Sequence, residues 1–363
     1  MTTAYSGDGI TFPDNTVQAT APRVGMVNRI INGDMRIDQR NAGASVTALD
    51  SFPVDRFKYE SSQASKLTFQ QNAGSVTPPV GFINYLGATS SSTYSITATD
   101  YFVVSQKIEG LNAADLAWGT ASAATVTLSF RVYSSLTGTF GGALLNSAQN
   151  RSYPFSYSIP TANTWTTVSI TIPGDTSGTW LTTNGAGIAL RFGLGVGTTN
   201  SGTAGAWAGS LFFSATGATS VVGTSGATFY VTGVQLEKGS TATDFEYVDY
   251  GRQLQMCMRY YETFSAPNAG MITIGSANSG TGGYMVIPMR VLKRATPTFT
   301  KTGDPIVLTA GGGGAGAGTF SLGIGGLNVQ RLGAAGWSGL VSGNAFVVYA
   351  NLGIASFNFD SEL

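Results

Sequence analysis

The side chains that most often carry out chemistry in proteins are scarce in this chain of 363 residues, which has no histidine and one cysteine, Cys257. The absence of histidine excludes Ser-His-Asp and Cys-His nucleophilic catalysis, and it excludes zinc sites that need an imidazole ligand. A single cysteine excludes an internal disulfide, a cysteine-rich zinc site and an iron–sulfur cluster. Paired carboxylates are the catalytic chemistry that remains, because a glycosidase needs two carboxyl groups about 5–10 Å apart.

Two pairs of aspartates lie close together in the sequence, Asp34 with Asp38 and Asp50 with Asp55. In strands, such spacings do not guarantee that the carboxyl groups converge. The dipeptide Asp55-Arg56 favours a structural ion pair or hydrogen bond near a domain boundary. We therefore expect a protein without enzymatic activity. Convergent acids in a groove would instead favour an enzyme that degrades polysaccharides.

Tryptophan side chains could take part in sugar recognition, in which an aromatic ring stacks on the apolar face of a pyranose and neighbouring amides and hydroxyls bind its hydroxyl groups. The chain has five tryptophans. Trp118 and Trp165 precede predicted strands, so we expect them in the core. Trp180, Trp207 and Trp337 lie in loops rich in Gly, Ser and Thr, and they are our candidate glycan-binding residues. Each could alternatively anchor its loop as a buried side chain.

The charge composition limits the partners of the chain. Nineteen basic and nineteen acidic residues give a net charge of zero, and charged residues make up 10% of the sequence. This balance gives no electrostatic basis for nucleic-acid binding. No run of about 18 apolar residues occurs, so we expect no insertion into a membrane. The apolar content of 42% argues against disorder.

Short runs with alternating apolar residues dominate the secondary-structure pattern. In residues 125–133 the side chains of Val126, Leu128, Phe130 and Val132 share one face, as expected for a half-buried strand. Similar runs occupy residues 166–172, 188–194 and 229–236. Many short strands separated by Gly, Pro and Ser predict a β-sandwich or jelly roll.

One segment has a helical pattern instead. Tyr250, Leu254, Cys257 and Tyr261 fall on one stripe, and Asp249 can cap the start of the helix. This stripe could pack within the chain as a connection between domains, or it could face other copies in an oligomer.

These patterns predict an all-β protein with four parts. Residues 1–25 form a short N-terminal arm, residues 26–246 a jelly-roll β-sandwich domain, residues 247–265 one connecting α-helix, and residues 266–363 a second, smaller β-sandwich domain. Within the arm, residues 10–18 form a hairpin-like unit that is too small to have its own core. The arm therefore needs a partner.

A series of motifs follows one another along most of the chain. Residues 28–40 read Asn, three hydrophobic or basic residues, Asn-Gly-Asp and then Gln-Arg, and residues 54–57 read Val-Asp-Arg-Phe. Together with the later motifs, they resemble the fibre and minor structural proteins of tailed bacteriophages. The later motifs lie at residues 106–110, 116–119, 128–132, 151–155, 171–175, 178–180, 233–239, 244–247, 250–254, 257–261 and 359–363.

This resemblance implies a non-enzymatic virion protein whose jelly roll is similar to carbohydrate-binding modules. It implies a homotrimer, an arm that docks on other virion proteins, and attachment to host surface polysaccharide. Alternatives are a capsid-bound head fibre or decoration protein, and a polysaccharide-degrading tailspike. Such modules often hold a structural calcium ion, for which Asn32, Asp34 and Glu237 are the candidate ligands; alternatively, the two carboxylates bond only to backbone or arginine. We expect no other cofactor.

Overall fold

A computed structural model describes residues 26–309, 318–351 and 353–363, together with the backbone of three short strands before residue 26. These strands are β1 (Ala4–Ser6), β2 (Gly9–Thr11) and β3 (Val17–Gln18), and they form one antiparallel sheet. In this sheet Ile10 is paired with Gln18, which is the hairpin predicted for residues 10–18. The rest of the predicted arm lies outside the described residues.

The next part of the chain, residues 58–238, is built from strands joined by loops. Its 3-10 helices are Ala73–Ser75, Gly110–Asn112, Ala114–Leu116 and Thr198–Asn200. Its strands are β4 (Lys58–Ser61), β5 (Leu67–Gln71), β6 (Leu86–Ser90), β7 (Tyr101–Glu109), β8 (Val126–Ser134), β9 (Gly138–Leu145), β10 (Ser152–Ile159), β11 (Thr166–Ile172), β12 (Ala186–Val196), β13 (Ser201–Gly202), β14 (Ser214–Ala215) and β15 (Thr228–Lys238).

These strands form an antiparallel jelly-roll sandwich with two five-stranded sheets. Sheet A has the order β10-β9-β12-β7-β4, and sheet B has the order β11-β8-β15-β6-β5. The chain passes repeatedly from one sheet to the other, as the jelly roll requires. The short strands β13 and β14 form a separate parallel pair.

Alternation along the strands places the apolar side chains between the two sheets. On β8, Val126, Leu128, Phe130 and Val132 are fully buried, which confirms the face predicted from the sequence. Phe130 of sheet B meets Phe192 of sheet A edge to face, with ring centroids 5.0 Å apart. Each such side chain contributes about 1.5–3 kcal/mol by leaving water, so this core is a large part of what holds the sandwich together.

Helix α1 spans Tyr250–Met258 and begins as predicted, because the Asp249 carboxylate accepts a hydrogen bond from the Arg252 N–H at 2.9 Å. Cys257 is buried in a cluster with Ile31, Ile37 and Tyr260, and Leu254 is partly buried against it. The helix is shorter than its predicted stripe.

Tyr250 is exposed, and Tyr261 lies in the strand that follows the helix. The run of aromatic and β-branched residues after Met258 pairs with the C-terminal strand instead of continuing the helix.

No helix in the described residues is long and apolar enough to cross a membrane.

Two further antiparallel sheets follow the helix. Sheet C has three strands in the order β16-β24-β19, and sheet D has six in the order β20-β23-β17-β18-β22-β21. They enclose a second core that includes Phe357, Phe359, Phe346 and Val348. The strands are β16 (Tyr261–Ala266), β17 (Met271–Ala277), β18 (Gly282–Pro288), β19 (Thr298–Thr302), β20 (Pro305–Thr309), β21 (Thr319–Gly325), β22 (Val329–Ala335), β23 (Ala345–Ala350) and β24 (Ala355–Asp360).

Candidate functional site

The two outer faces of the jelly roll differ in what covers them. On sheet A, apolar side chains of three strands, Val103, Leu145 and Ala189, pack under Phe213 from the loop that carries β13 and β14. Arg191 lies under the same ring at 4.0 Å and pairs with Glu60 at 2.9 Å. This face of sheet A is therefore closed by the protein itself.

The outer face of sheet B is covered only in part. At one end Thr232 donates its hydroxyl to the carbonyl of Asn84 at 2.7 Å, and the Gln235 amide donates to the carbonyl of Asp244 at 3.2 Å. The loop before β6 and the segment after β15 thus lie over this end. Toward the edge strand β11 no described residue covers the face, and Thr167 and Ser169 are exposed there.

An aromatic cluster lies on this outer face. The rings of Tyr133 and Tyr230 stack almost parallel at 5.3 Å, and Trp165 packs against Tyr133 at 5.4 Å and against Tyr85 at 5.5 Å. Tyr85 and Tyr230 are buried beneath, whereas Tyr133 and Trp165 remain partly exposed. The Trp165 indole N–H donates to the carbonyl of Thr77 at 2.9 Å, which fixes the ring in place.

Arg131 is the charged member of the same face. It is on β8 two residues before Tyr133, and the register places it between Thr167 on β11 and Thr232 on β15. No described residue forms a hydrogen bond or an ion pair with its side chain. Arg131 is partly exposed, and its guanidinium group offers up to five N–H donors on the same face as the aromatic rings and the hydroxyl groups.

Sequence reasoning missed this site. It placed Trp165 in the core, because the residue precedes a strand, and it did not consider Arg131 or Tyr133. The signal was present, because Arg131 and Tyr133 alternate with the core residues Phe130 and Val132 and must therefore point outward. Only the pairing of β11 with β8, which brings Trp165 beside Tyr133, could identify the cluster.

Two of the three tryptophans predicted to contact glycan, Trp180 and Trp207, lie together in a second aromatic cluster, separate from the one on sheet B. Trp180 lies 5.4 Å from Trp207, and both pack edge to face on Trp118, at 4.7 and 5.3 Å. Trp180 is buried and Trp207 is partly exposed, and both indole N–H groups donate to carbonyls of the chain, those of Ser177 and Pro173. These contacts indicate that Trp180 and Trp207 anchor their loops to the rest of the protein.

Trp337, the third candidate, is in the C-terminal part of the chain, far from this cluster in the sequence. It is buried with 2% exposure, and its ring packs against Phe320 at 5.5 Å. In this position the ring contributes to the core between sheets C and D and does not face solvent.

The three candidate calcium ligands are each engaged by the protein. The Asn32 amide donates to the carbonyls of Ile37 and Asp55, both at 2.9 Å, and Asp34 forms a buried ion pair with Arg36. Burial raises the pKa of Asp34 despite this arginine. Glu237 accepts hydrogen bonds from Gln235 at 3.0 Å and from both the N–H and the hydroxyl of Thr243, at 2.8 and 2.7 Å.

These contacts do not fit a calcium site, which requires six to eight oxygen ligands, because Arg36 pairs with the Asp34 carboxylate and Gln235 and Thr243 bind the Glu237 carboxylate. Among the described residues, no group of three or more acidic or cysteine side chains is placed to hold a metal ion. We therefore assign no metal to Asn32, Asp34 or Glu237.

The four aspartates considered for catalysis also have structural contacts. Asp38 accepts from the N–H groups of Asn41 and Gly43 at 2.9 and 2.7 Å and closes a loop. Asp55 is buried and accepts from the Gln39 N–H at 3.0 Å, and Asp50 pairs with Lys58 at 2.9 Å.

No protein-family model matches the chain, and no curated protein matches it either. The enzymatically active domain of tailspike protein 4 from bacteriophage CBA120 is 12% identical with a TM-score of 0.33; the match covers 59% of this chain but 22% of that domain's chain. The family 11 carbohydrate-binding module of the Clostridium thermocellum cellulase Lic26A-Cel5E is 13% identical with a TM-score of 0.29, over 56% of this chain and 99% of the module.

A third similar structure is the module TmCBM61 in complex with β-1,4-galactotriose. It is 8% identical with a TM-score of 0.27, and the match covers 50% of this chain and 88% of the module. At this level of identity, each comparison is a similarity of fold.

Proposed function

We propose that the chain is a non-enzymatic adhesion subunit of a tailed-phage virion, a tail fibre or fibre-like appendage, which binds glycans of the host surface. The carrying observation is the partly exposed pair Trp165 and Tyr133 beside the unpaired Arg131 on the open outer face of sheet B. The virion assignment is supported by the fibre-like motifs, such as those at residues 28–40 and 233–239.

The outer face of sheet B has the groups that sugar binding needs. The Trp165 and Tyr133 rings can stack on the C–H face of a pyranose. The exposed hydroxyls of Thr167 and Ser169 can exchange hydrogen bonds with those of the sugar, and Arg131 can donate two parallel bonds to a carboxylate or to vicinal hydroxyls. Each contact is weak alone, so strong adhesion requires several copies acting together.

In this proposal each predicted part has a role. Residues 1–25 dock on other virion proteins, and residues 26–246 bind the glycan. Residues 247–265 connect this domain to the second β domain, which residues 266–363 form. The subunit acts as a homotrimer, which supplies the several binding sites.

Substitution of Arg131 tests the proposal cleanly, because no described residue depends on this side chain. We expect the full-length protein to bind members of an array of bacterial surface polysaccharides, and Arg131→Ala to weaken that binding about tenfold with an unchanged melting temperature. Trp207→Ala, which alters the other aromatic cluster, serves as the control and should keep its binding. Unchanged binding by Arg131→Ala, or no binding by the wild type, would overturn the proposal.

A further inference from the structure

Arg131 is a cation with uncharged neighbours on the outer face of sheet B. The positions that adjoin it on this face include Ser129 and Tyr133 on β8, Thr167 and Ser169 on β11, and Thr232 and Gln235 on β15. The acidic residue that the register places nearest, Glu237, pairs with a position four residues along β8, about 13 Å away. Gln235 and Thr243 bind its carboxylate.

The outer face of sheet A has an arginine in a different situation. Arg191 on β12 pairs with Glu60 at 2.9 Å, and the Phe213 ring lies over its guanidinium at 4.0 Å. Arg131 has neither kind of contact, because no described residue forms an ion pair with it and no described ring stacks on it. Of these two outward-facing arginines, only Arg191 has a counter-ion among the described residues.

A sugar bound at this face would displace water from the Arg131 guanidinium. A pyranose stacked on Trp165 and Tyr133 lies next to Arg131, because Arg131 and Tyr133 are two residues apart on one strand, about 7 Å. Displacing water from a charged group costs free energy unless hydrogen bonds and an opposite charge replace that water.

Neutral and acidic sugars differ in how they compensate this cost. A neutral sugar offers hydroxyl groups, for which Thr167 and Ser169 already provide uncharged partners on the same face. A carboxylate accepts two parallel hydrogen bonds from a guanidinium group and also neutralises its charge. The face as a whole therefore favours an acidic sugar over its neutral equivalent.

We propose that the outer face of sheet B selects glycans that carry a carboxylate on the sugar ring, as uronic acids do, and that Arg131 determines this specificity. In a uronic acid the carboxylate is attached to the same ring that stacks on Trp165 and Tyr133, so one sugar residue makes both contacts. This inference rests on the proposed function, since it requires a glycan on this face, and it adds the chemical class of that glycan.

Paired polysaccharides test the inference. Hyaluronate, alginate and polygalacturonate are immobilised in native form and after carbodiimide activation and borohydride reduction, which converts each carboxylate into a primary alcohol and keeps the linkages. We expect the full-length protein to bind at least one native polymer about tenfold more tightly than its reduced form.

Substitutions of Arg131 should change this preference. Arg131→Gln keeps amide donors but removes the charge, so the ratio of the two dissociation constants should fall from about ten to about one. Arg131→Lys keeps the charge but loses the two parallel donors, so its ratio should be intermediate. Lys301→Gln is the matched control: Lys301 is exposed on β19, and removal of this charge should leave the ratio unchanged. Circular dichroism and the melting temperature of each variant report the fold.

Several results would overturn the inference. They are equal binding of native and reduced polymers by the wild type, an unchanged ratio in Arg131→Gln, and an equal fall in Lys301→Gln, which would attribute the preference to net charge. Tighter binding to the phosphate-bearing polymer teichoic acid than to all three uronates would also overturn it. Binding of neutral polysaccharides without a preference for acids leaves the adhesion proposal intact, whereas failure to bind any polysaccharide overturns both.

Discussion

Tyr260 donates its hydroxyl to the Glu109 carboxylate at 2.8 Å, and this contact joins the chain after helix α1 to the end of strand β7. Arg259 donates to both oxygens of the same carboxylate at 2.8 and 2.6 Å. Burial opposes ionisation of Glu109, but the hydrogen bonds from Arg259 and Tyr260 outweigh it and lower its pKa. Burial in turn raises the pKa of Tyr260 to about 12, so the phenol remains a donor.

Replacement of Glu109 by Gln should destabilise this connection. Glutamine accepts through one oxygen and carries no charge, so Arg259 loses its bidentate partner. Because Arg259 is partly exposed, we expect a loss of about 2 kcal/mol in the free energy of unfolding, measured by urea denaturation. Asp50→Asn, which removes an exposed ion pair with Lys58, is the control and should have no measurable effect. Equal stability of Glu109→Gln and wild type would contradict this role.

The stability of the protein should increase as the pH falls from 7.5 to 5. Desolvation raises the pKa of the buried Asp55 from 3.8 to about 6. The folded state therefore binds this proton more tightly than the unfolded state. The resulting stabilisation is complete below pH 3.8 and is lost as the pH rises through about 6.

The chain has no histidine, and the raised pKa of Asp55 gives it a large effect in this window; burial also raises the pKa values of Asp34 and Asp38, which act in the same direction. We expect a gain of about 1–1.5 kcal/mol between pH 7.5 and 5, measured by calorimetric unfolding. Asp55→Asn, which cannot titrate at this position, should show a clearly shallower profile over the same range, with the remainder due to Asp34 and Asp38. A profile as steep in this variant as in the wild type would assign the effect to other groups.

How much of this structure could be predicted depends on whether the determining contacts are local. The strand at residues 125–133 follows from alternation alone, and the start of helix α1 follows from the capping residue Asp249. The end of that helix could not be predicted, because it is set by pairing with β24, about 100 residues later in the sequence. The outer-face site needed the same kind of knowledge, since Trp165 reaches Tyr133 through strand pairing.

The cluster of Trp118, Trp180 and Trp207 should prove to be structural. Trp180 is buried between the other two rings, so Trp180→Ala leaves a cavity that the loops cannot fill, and we expect a loss of about 3–5 kcal/mol in unfolding free energy. Trp207→Ala should lose less unfolding free energy, because that ring is already partly exposed. Trp180→Phe, which retains an aromatic ring, is the matched control and should lose less than the alanine variant. If Trp180→Ala instead keeps its melting temperature and loses polysaccharide binding, the ring contacts glycan and the structural role is wrong.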